Sequence, residues 1–178
     1  MASDTKNVKL GVCKVFFNGK DLGYTQGGVD VSVKTDTHAV NVDQFGKTTI
    51  NEYIMGRTVT AKVPLAETTL DNMVRIMPGA TMMEDGTDPD KKYVEVTTGI
   101  GTDLLSIARE LRLHPVSLPD GDFSEDFVIP LTATAGALDF AYKLENERIF
   151  NVDFTGYPDP ATNKLFYVGK RPPVSYPA

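Results

Sequence analysis

The sequence predicts a mainly β fold, a β-sandwich or barrel with one flanking α-helix. Three observations carry this. Apolar and polar residues alternate with period two along several separate runs. Only one segment joins a helical apolar spacing to start and stop signals. The chain has 178 residues, 41% of them hydrophobic. That length suits one domain, which can take roughly 70% of its unfolded surface out of water without help from disulfides.

The elements follow in chain order. From Val8 to Phe17 the even positions Val8, Leu10, Val12 and Phe16 form one apolar face. Cys13, Val15 and Phe17 make the other face partly apolar, which predicts a strand buried on both sides. Asn18-Gly19-Lys20-Asp21 then supplies a tight hairpin turn, because Asn and Gly tolerate positive φ. After Gly27-Gly28, Val29, Val31 and Val33 alternate with Asp30, Ser32 and Lys34, the pattern of a strand with one face to the core and one to water. Val59, Ala61, Val63 and Leu65 repeat it. Between these strands, residues 35–55 and their flanks carry Val40, Val42, Phe45, Ile50, Tyr53, Ile54 and Met55 without a helical period. The segment reads as a long β-hairpin or extended loop, too apolar for an idle linker.

The helix starts at Thr68, three residues before Asp71, in a capping-box-like arrangement. Leu70, Met73, Val74 and Met77 follow as its core stripe until Pro78-Gly79 ends it. Residues 80–92, with Gly86, Pro89 and four acids, read as a mobile acidic loop. In 102–113, Leu104, Ile107, Ala108 and Leu111 fit a helix while Leu111, Leu113 and Pro115 fit a strand; a short helix feeding a strand is favoured. Leu138, Phe140, Tyr142, Leu144 and then Arg148, Phe150, Val152, Phe154 predict a hairpin turning at Glu145-Asn146-Glu147. The segment from Phe123 to Leu131 pairs nearby. Residues 169–178, with three prolines, form an extended arm.

Composition excludes several classes of function. With 18 Lys and Arg against 24 Asp and Glu, the net charge of −6 opposes a surface built to grip nucleic-acid phosphates. No apolar run approaches the roughly 20 residues that span a bilayer, and no secretory signal is visible, so a soluble protein of a reducing compartment is expected. Reactive groups are few. His38 and His114 lie in no metal-binding spacing and read as structural or surface residues. Cys13 sits mid-strand in an apolar setting, where a thiol is inert packing. Asp85, Asp88 and Asp90 lack the remaining ligands of a calcium loop, and Gly99-Ile100-Gly101 lacks the third glycine of a dinucleotide site, where Leu104 stands. The Gly-Lys pairs at Gly19, Gly46 and Gly169 lack the upstream glycine of a phosphate loop, and no G-x-S-x-G occurs. The acid pairs Asp120 with Asp122 and Glu145 with Glu147 lie in turn-like segments where exposed acids are ordinary. No catalytic residue, cofactor or metal is assigned. A β protein of this kind works through its surfaces: unprotected strand edges and the apolar excursion from Val40 to Met55. The alternative is an excursion folded back on its own core.

Several segments, in order, resemble the major tail tube proteins of long, non-contractile bacteriophage tails. They are Gly23-Tyr24-Thr25-Gln26-Gly27-Gly28-Val29, Val42-Asp43-Gln44-Phe45-Gly46 and Leu65-Ala66-Glu67-Thr68-Thr69-Leu70. Phe127-Val128-Ile129-Pro130-Leu131, Arg148-Ile149-Phe150-Asn151-Val152-Asp153-Phe154 and Gly156-Tyr157-Pro158-Asp159 continue the series, so the resemblance spans about residues 8–170.

The resemblance implies a tail-tube-like sandwich over the whole chain, in which strands of neighbouring subunits join into one continuous luminal barrel. Hexameric rings would stack into a hollow tube. Residues 35–55 would form the inter-ring hairpin, with Val40, Val42, Gln44, Phe45, Ile50, Tyr53, Ile54 and Met55 as contact residues. Asp30, Ser32, Lys34 and Glu52 would line the lumen. Partners would be the chain itself, a tape measure protein, a tail terminator and distal tail or baseplate proteins. Double-stranded DNA would pass without specific binding, and no membrane would be involved. The location would be the virion, after assembly in the bacterial host cytoplasm. The inner tube of a contractile injection or type VI secretion system is the nearest alternative. A carbohydrate- or receptor-binding β-sandwich is the alternative of another class, disfavoured by the absence of Trp and of clustered exposed aromatics.

Overall fold

The computed structural model describes residues 5, 8–9, 11–88, 90–136, 138–142, 144 and 147–170. Ten strands and one α-helix follow in order: β1 Cys13–Phe17, β2 Lys20–Asp21, β3 Asp30–Asn41, β4 Thr49–Leu65, α1 Leu70–Ile76, β5 Ala80–Glu84, β6 Lys92–Val96, β7 Arg109–Pro115, β8 Phe127–Thr134, β9 Phe150–Gly156 and β10 Tyr167–Val168. The fold is mainly β, a β-sandwich flanked by one helix.

One antiparallel sheet holds the strand order β2-β1-β7-β8-β9-β4-β3, with β10 beside the start of β8. Hydrogen bonding alone would make this a flat ribbon. Instead the Phe17 ring of β1 lies 5.1 Å from that of Phe154 in β9, although β7 and β8 separate the two strands. Three neighbour steps of about 4.8 Å each would hold them roughly 14 Å apart in a flat sheet. The sheet is therefore curled until β1 and β7 cover β9 and the inner half of β4.

The curl has a visible hinge in β8. Arg109 pairs with Thr132 and Leu111 with Ile129, so one extra residue enters β8 beside Pro130. Proline has no N–H to lose from the ladder, and a bulge adds local twist where the sheet changes layer. Inside the fold, alternation works as the sequence predicts. Val59, Ala61, Val63 and Leu65 of β4 and Phe150, Val152 and Phe154 of β9 are buried. Gly156 sits opposite Val59 and Thr132, where β4, β8 and β9 crowd together. A Cβ there would meet Val59 and lie 2.7 Å from Ile129 Cγ2.

Two polar arrangements hold the elements to each other. In α1, Asn72 is buried and its side-chain amide donates to the carbonyls of Leu22 and Glu67, tying the helix to the segments on either side of it. In the β7 layer, the Nδ1 of buried His114 lies 2.7 Å from the carboxylate of buried Asp126. Arg112 stands 3.8 Å from the other carboxylate oxygen and stacks over Phe16 and Phe123. His114 is thus a core residue, one of the two readings the sequence allowed.

Several expectations need correction. The first strand begins only at Cys13; Val8 and Val12 are exposed, and the odd positions Val15 and Phe17 face the core. Val8 and Val12 have no strand opposite them, because β7 ends at Pro115, across from Cys13. The helix cap is Thr69, whose side chain accepts from the Asn72 N–H, so the buried face is Asn72 and Ile76. Leu70 is exposed and Met73, Val74 and Met77 are only half-buried. Thr68 instead accepts from the Arg148 guanidinium. The 80–92 segment is a hairpin of β5 and β6 in which Met82 and Val94 share one face, with Glu84 in β5 and the other acids in the turn; Pro89 lies outside the described residues. Residues 104–107 form a turn in place of a helix, anchored where Asp103 accepts from Leu105 N–H and Ser106. Residues 138–142 are not strand, since β9 already has β4 and β8 on its two sides. The expected turn at 145–146 and the arm from 171 to 178 lie outside the described residues.

Two substitutions test this architecture. Gly156→Ala should lower the urea midpoint by the equivalent of about 1–3 kcal/mol, the cost of overpacking, with an unchanged m-value. An unchanged midpoint would show that the crease has room. Asp126→Ala should cost about 1–3 kcal/mol by stranding a buried imidazole, measured in the same way.

Candidate assembly surface

Strand β4 has 17 residues, but β9 pairs only with its inner part, from Val59 to Leu65. Outward from Val59, β3 and β4 pair with each other alone. Two register shifts interrupt them, at Asp36/Thr37 and at Val40/Asn41, leaving Met55 and Ile50 as the extra residues. At about 3.3 Å per residue, the part beyond Asp36 and Gly56 reaches roughly 20 Å. A 3-10 turn at Asp43–Phe45 closes the tip, and Gly46 at φ 61° permits the reversal. The expected long hairpin is therefore present, in its β-hairpin form.

Its side chains are largely apolar and uncovered. Phe45, Ile50, Tyr53, Ile54 and Met55 are each exposed by 48–70%, Gln44 is exposed, and Val40 and Val42 are half-buried. The alternative of an excursion folded back on its own core does not occur. A two-stranded ribbon by itself is at best marginally stable in water.

The strip continues along the sheet edge. Val31 lies opposite Ala61 and Val33 opposite Val59, so these valines share the core-facing side of the sheet. Ala61 and Val59 are fully buried, yet Val31 and Val33 are 38% and 41% exposed. The second layer stops short of β3, and a half-buried face was read in the sequence where the isolated chain has a bare one. As the last strand in the order, β3 also leaves one backbone edge unpaired.

The opposite side of the same strands is polar. Asp30 registers with Lys62 and Lys62 with Asp153; Ser32 registers with Thr60 and Thr60 with Thr155. Lys34 faces Thr58. Asp30, Ser32 and Lys34 therefore share one face, with two acids and two lysines along these rungs. Glu52 registers with Ala39, which alternation puts on the other face. His38 is exposed on the hairpin opposite Tyr53.

The remaining reactive groups are engaged locally. Burial pushes the Cys13 thiol above its ordinary range, which suppresses the nucleophilic thiolate. Hydrogen bonds from the Thr87 hydroxyl and N–H hold Asp85 below the usual carboxylate range, so this acid caps its own turn. Lys14 does the same for Asp120, chiefly by hydrogen bonding. No group of three or more candidate metal ligands occurs among the described residues, and no helix there is long and apolar enough to cross a membrane. The exposure of Val31 and Val33 is what sequence reasoning missed, since alternation identifies a face but not whether anything covers it.

No protein-family model matches the chain, and no curated protein matches it. Among solved structures, the chain is similar to one from the virion of a native gene transfer agent particle. The identity is 10% and the TM-score 0.42, with 95% of this chain and 100% of that chain covered.

Proposed function

We propose that this chain is a non-enzymatic structural protein of a virion, which polymerises as stacked hexameric rings into a tail tube. The carrying observation is the apolar hairpin and sheet edge left bare in the isolated subunit. The ordered sequence resemblance to tail tube proteins supplies the form of the assembly.

Magnitudes favour a cooperative assembly over a pairwise one. Fully burying a large apolar side chain is worth about 1.5–3 kcal/mol. Half of that for Phe45, Ile50, Tyr53, Ile54 and Met55 gives roughly 4–7 kcal/mol per hairpin. Association itself costs about 4–15 kcal/mol, so one hairpin contact comes close to breaking even. Six contacts closing together on a ring do not meet that cost six times.

The geometry of such a ring is consistent with a conduit. If β8, β9, β4 and β3 of six subunits formed one barrel, roughly 24 strands at 4.8 Å would make it about 37 Å across. That leaves room for a DNA duplex. Closure would also pair the β3 edge. The face bearing Asp30, Ser32 and Lys34 would line it, and its balanced charge would give passing DNA little to bind. The −6 of each subunit, about −36 per ring, would add a repulsive background. A tape measure protein, a terminator and distal tail proteins would set length and ends, with assembly in the host cytoplasm.

Negative-stain imaging and sedimentation of the purified chain over a concentration range should show six-membered rings or tubes. A persistent monomer that binds a sugar would overturn the reading. Replacing residues 37–55 with Asn-Gly, joined at the Asp36–Gly56 pair, should leave a folded chain by circular dichroism that forms no tubes. Normal tube growth by that variant would remove the hairpin from the mechanism.

A further inference from the structure

A groove of about 280 Å³ lies where the end of α1 meets the β1–β2 turn and the start of β7. Phe17, Met77 and Ile107 form an apolar lining, while Lys20, Arg75 and Arg109 supply three cations and no acid lines it. None of these cations is ion-paired among the described residues. Arg75 donates to Asn72 Oδ1 and Arg109 to the carbonyls of Ser106 and Ala108, so their charges are held in place without being neutralised. Three uncompensated cations in one concavity are unusual on a chain of net charge −6.

The position of the groove is set by β4. The hairpin tip precedes β4 at Thr49, whereas α1 begins five residues after β4 ends at Leu65. Phe17 at the groove pairs with Leu111, near the β7 residue Arg109 that registers with Thr132; β8 then runs towards the Phe150 end of β9, which is also the Leu65 end of β4. Arg109, Ala133 and Thr134 of the groove thus stand level with Val59, Thr60 and Ala61 of β4, roughly 33–40 Å from the hairpin end at Thr49. Two different and well-separated patches make a heterologous contact, which builds an open filament where its rotation does not close into a ring.

We infer that the groove receives the Asp43–Phe45 turn of a second copy of this chain. The turn carries an exposed aromatic, Phe45, two residues from an exposed acid, Asp43, that makes no ion pair among the described residues. Phe45 fits the apolar lining, and Asp43 meets the three cations at its rim. The inference rests on the self-assembly reading and gives its axial contact a receptor.

The test is disulfide trapping in a Cys13→Ser background carrying Gln44→Cys in the turn and Ala80→Cys on the groove wall, which leaves Asp43, Phe45 and the apolar and cationic lining in place. Oxidation should give a ladder of dimers, trimers and longer multimers that collapses on reduction. Tip and groove of one copy are too far apart to link to each other. A control pairing Gln44→Cys with Val168→Cys, an exposed position away from the groove, should stay monomeric. Asp43→Arg should cut ladder yield by about tenfold at low salt, and adding Arg75→Asp and Arg109→Asp to the same chain should restore it. No ladder under conditions where the wild type forms tubes would overturn groove docking and leave self-assembly standing. No ladder and no wild-type assembly would overturn both. A ladder of equal yield in the control would reveal random collision and overturn the docking.

Discussion

The molecule depends on the point at which β9 stops pairing with β4. On the inner side of Val59, β4 has hydrogen-bonding neighbours on both sides and a second layer over one face. On the outer side it has β3 alone and no layer. A single continuous strand therefore belongs to two environments. Because β4 runs through from one environment to the other, the folded half anchors the base of the bare half and starts it away from the core. The hairpin costs the core nothing and can be apolar without collapsing onto it.

The same division explains how charge and polarity are distributed. Most residues that the curled sheet covers are apolar, and among the buried polar residues Asn72 and the His114–Asp126 pair have hydrogen-bond partners on other segments. Buried polar groups with fixed partners orient the layers more sharply than apolar contacts, which tolerate sliding. The uncovered rungs from Asp30 to Thr155 alternate hydroxyls with balanced charge. The hairpin and the β3 edge carry Val31, Val33, Phe45, Ile50, Tyr53, Ile54 and Met55 as exposed apolar surface.

Much of the fold was legible in local pattern. Period-two alternation located β4 and β9 and named their buried residues, because a pleated strand puts alternate side chains on opposite faces whatever the rest of the chain does. Asn18-Gly19 marked its hairpin because both residues adopt positive φ, at 51° and 71°. Local pattern failed where long-range pairing decides. Nothing near Phe140 or Tyr142 says that β9 will already be paired on both sides. Met82 and Val94 gain their strand character only from each other. The Thr68 and Thr69 hydroxyls are equivalent as helix caps until Arg148, eighty residues on, engages one of them.

By itself the sequence determined a mainly β domain with one helix and a long apolar hairpin. Those properties follow from composition and short-range periodicity. Only the tertiary structure decided that the hairpin stands clear of the core, that Val31 and Val33 are bare, that Glu52 faces away from Asp30, and that three cations gather in one groove. Each of these depends on which strands lie side by side and where the covering layer ends, and that is a property of the closed sheet, with no counterpart in any short stretch of chain.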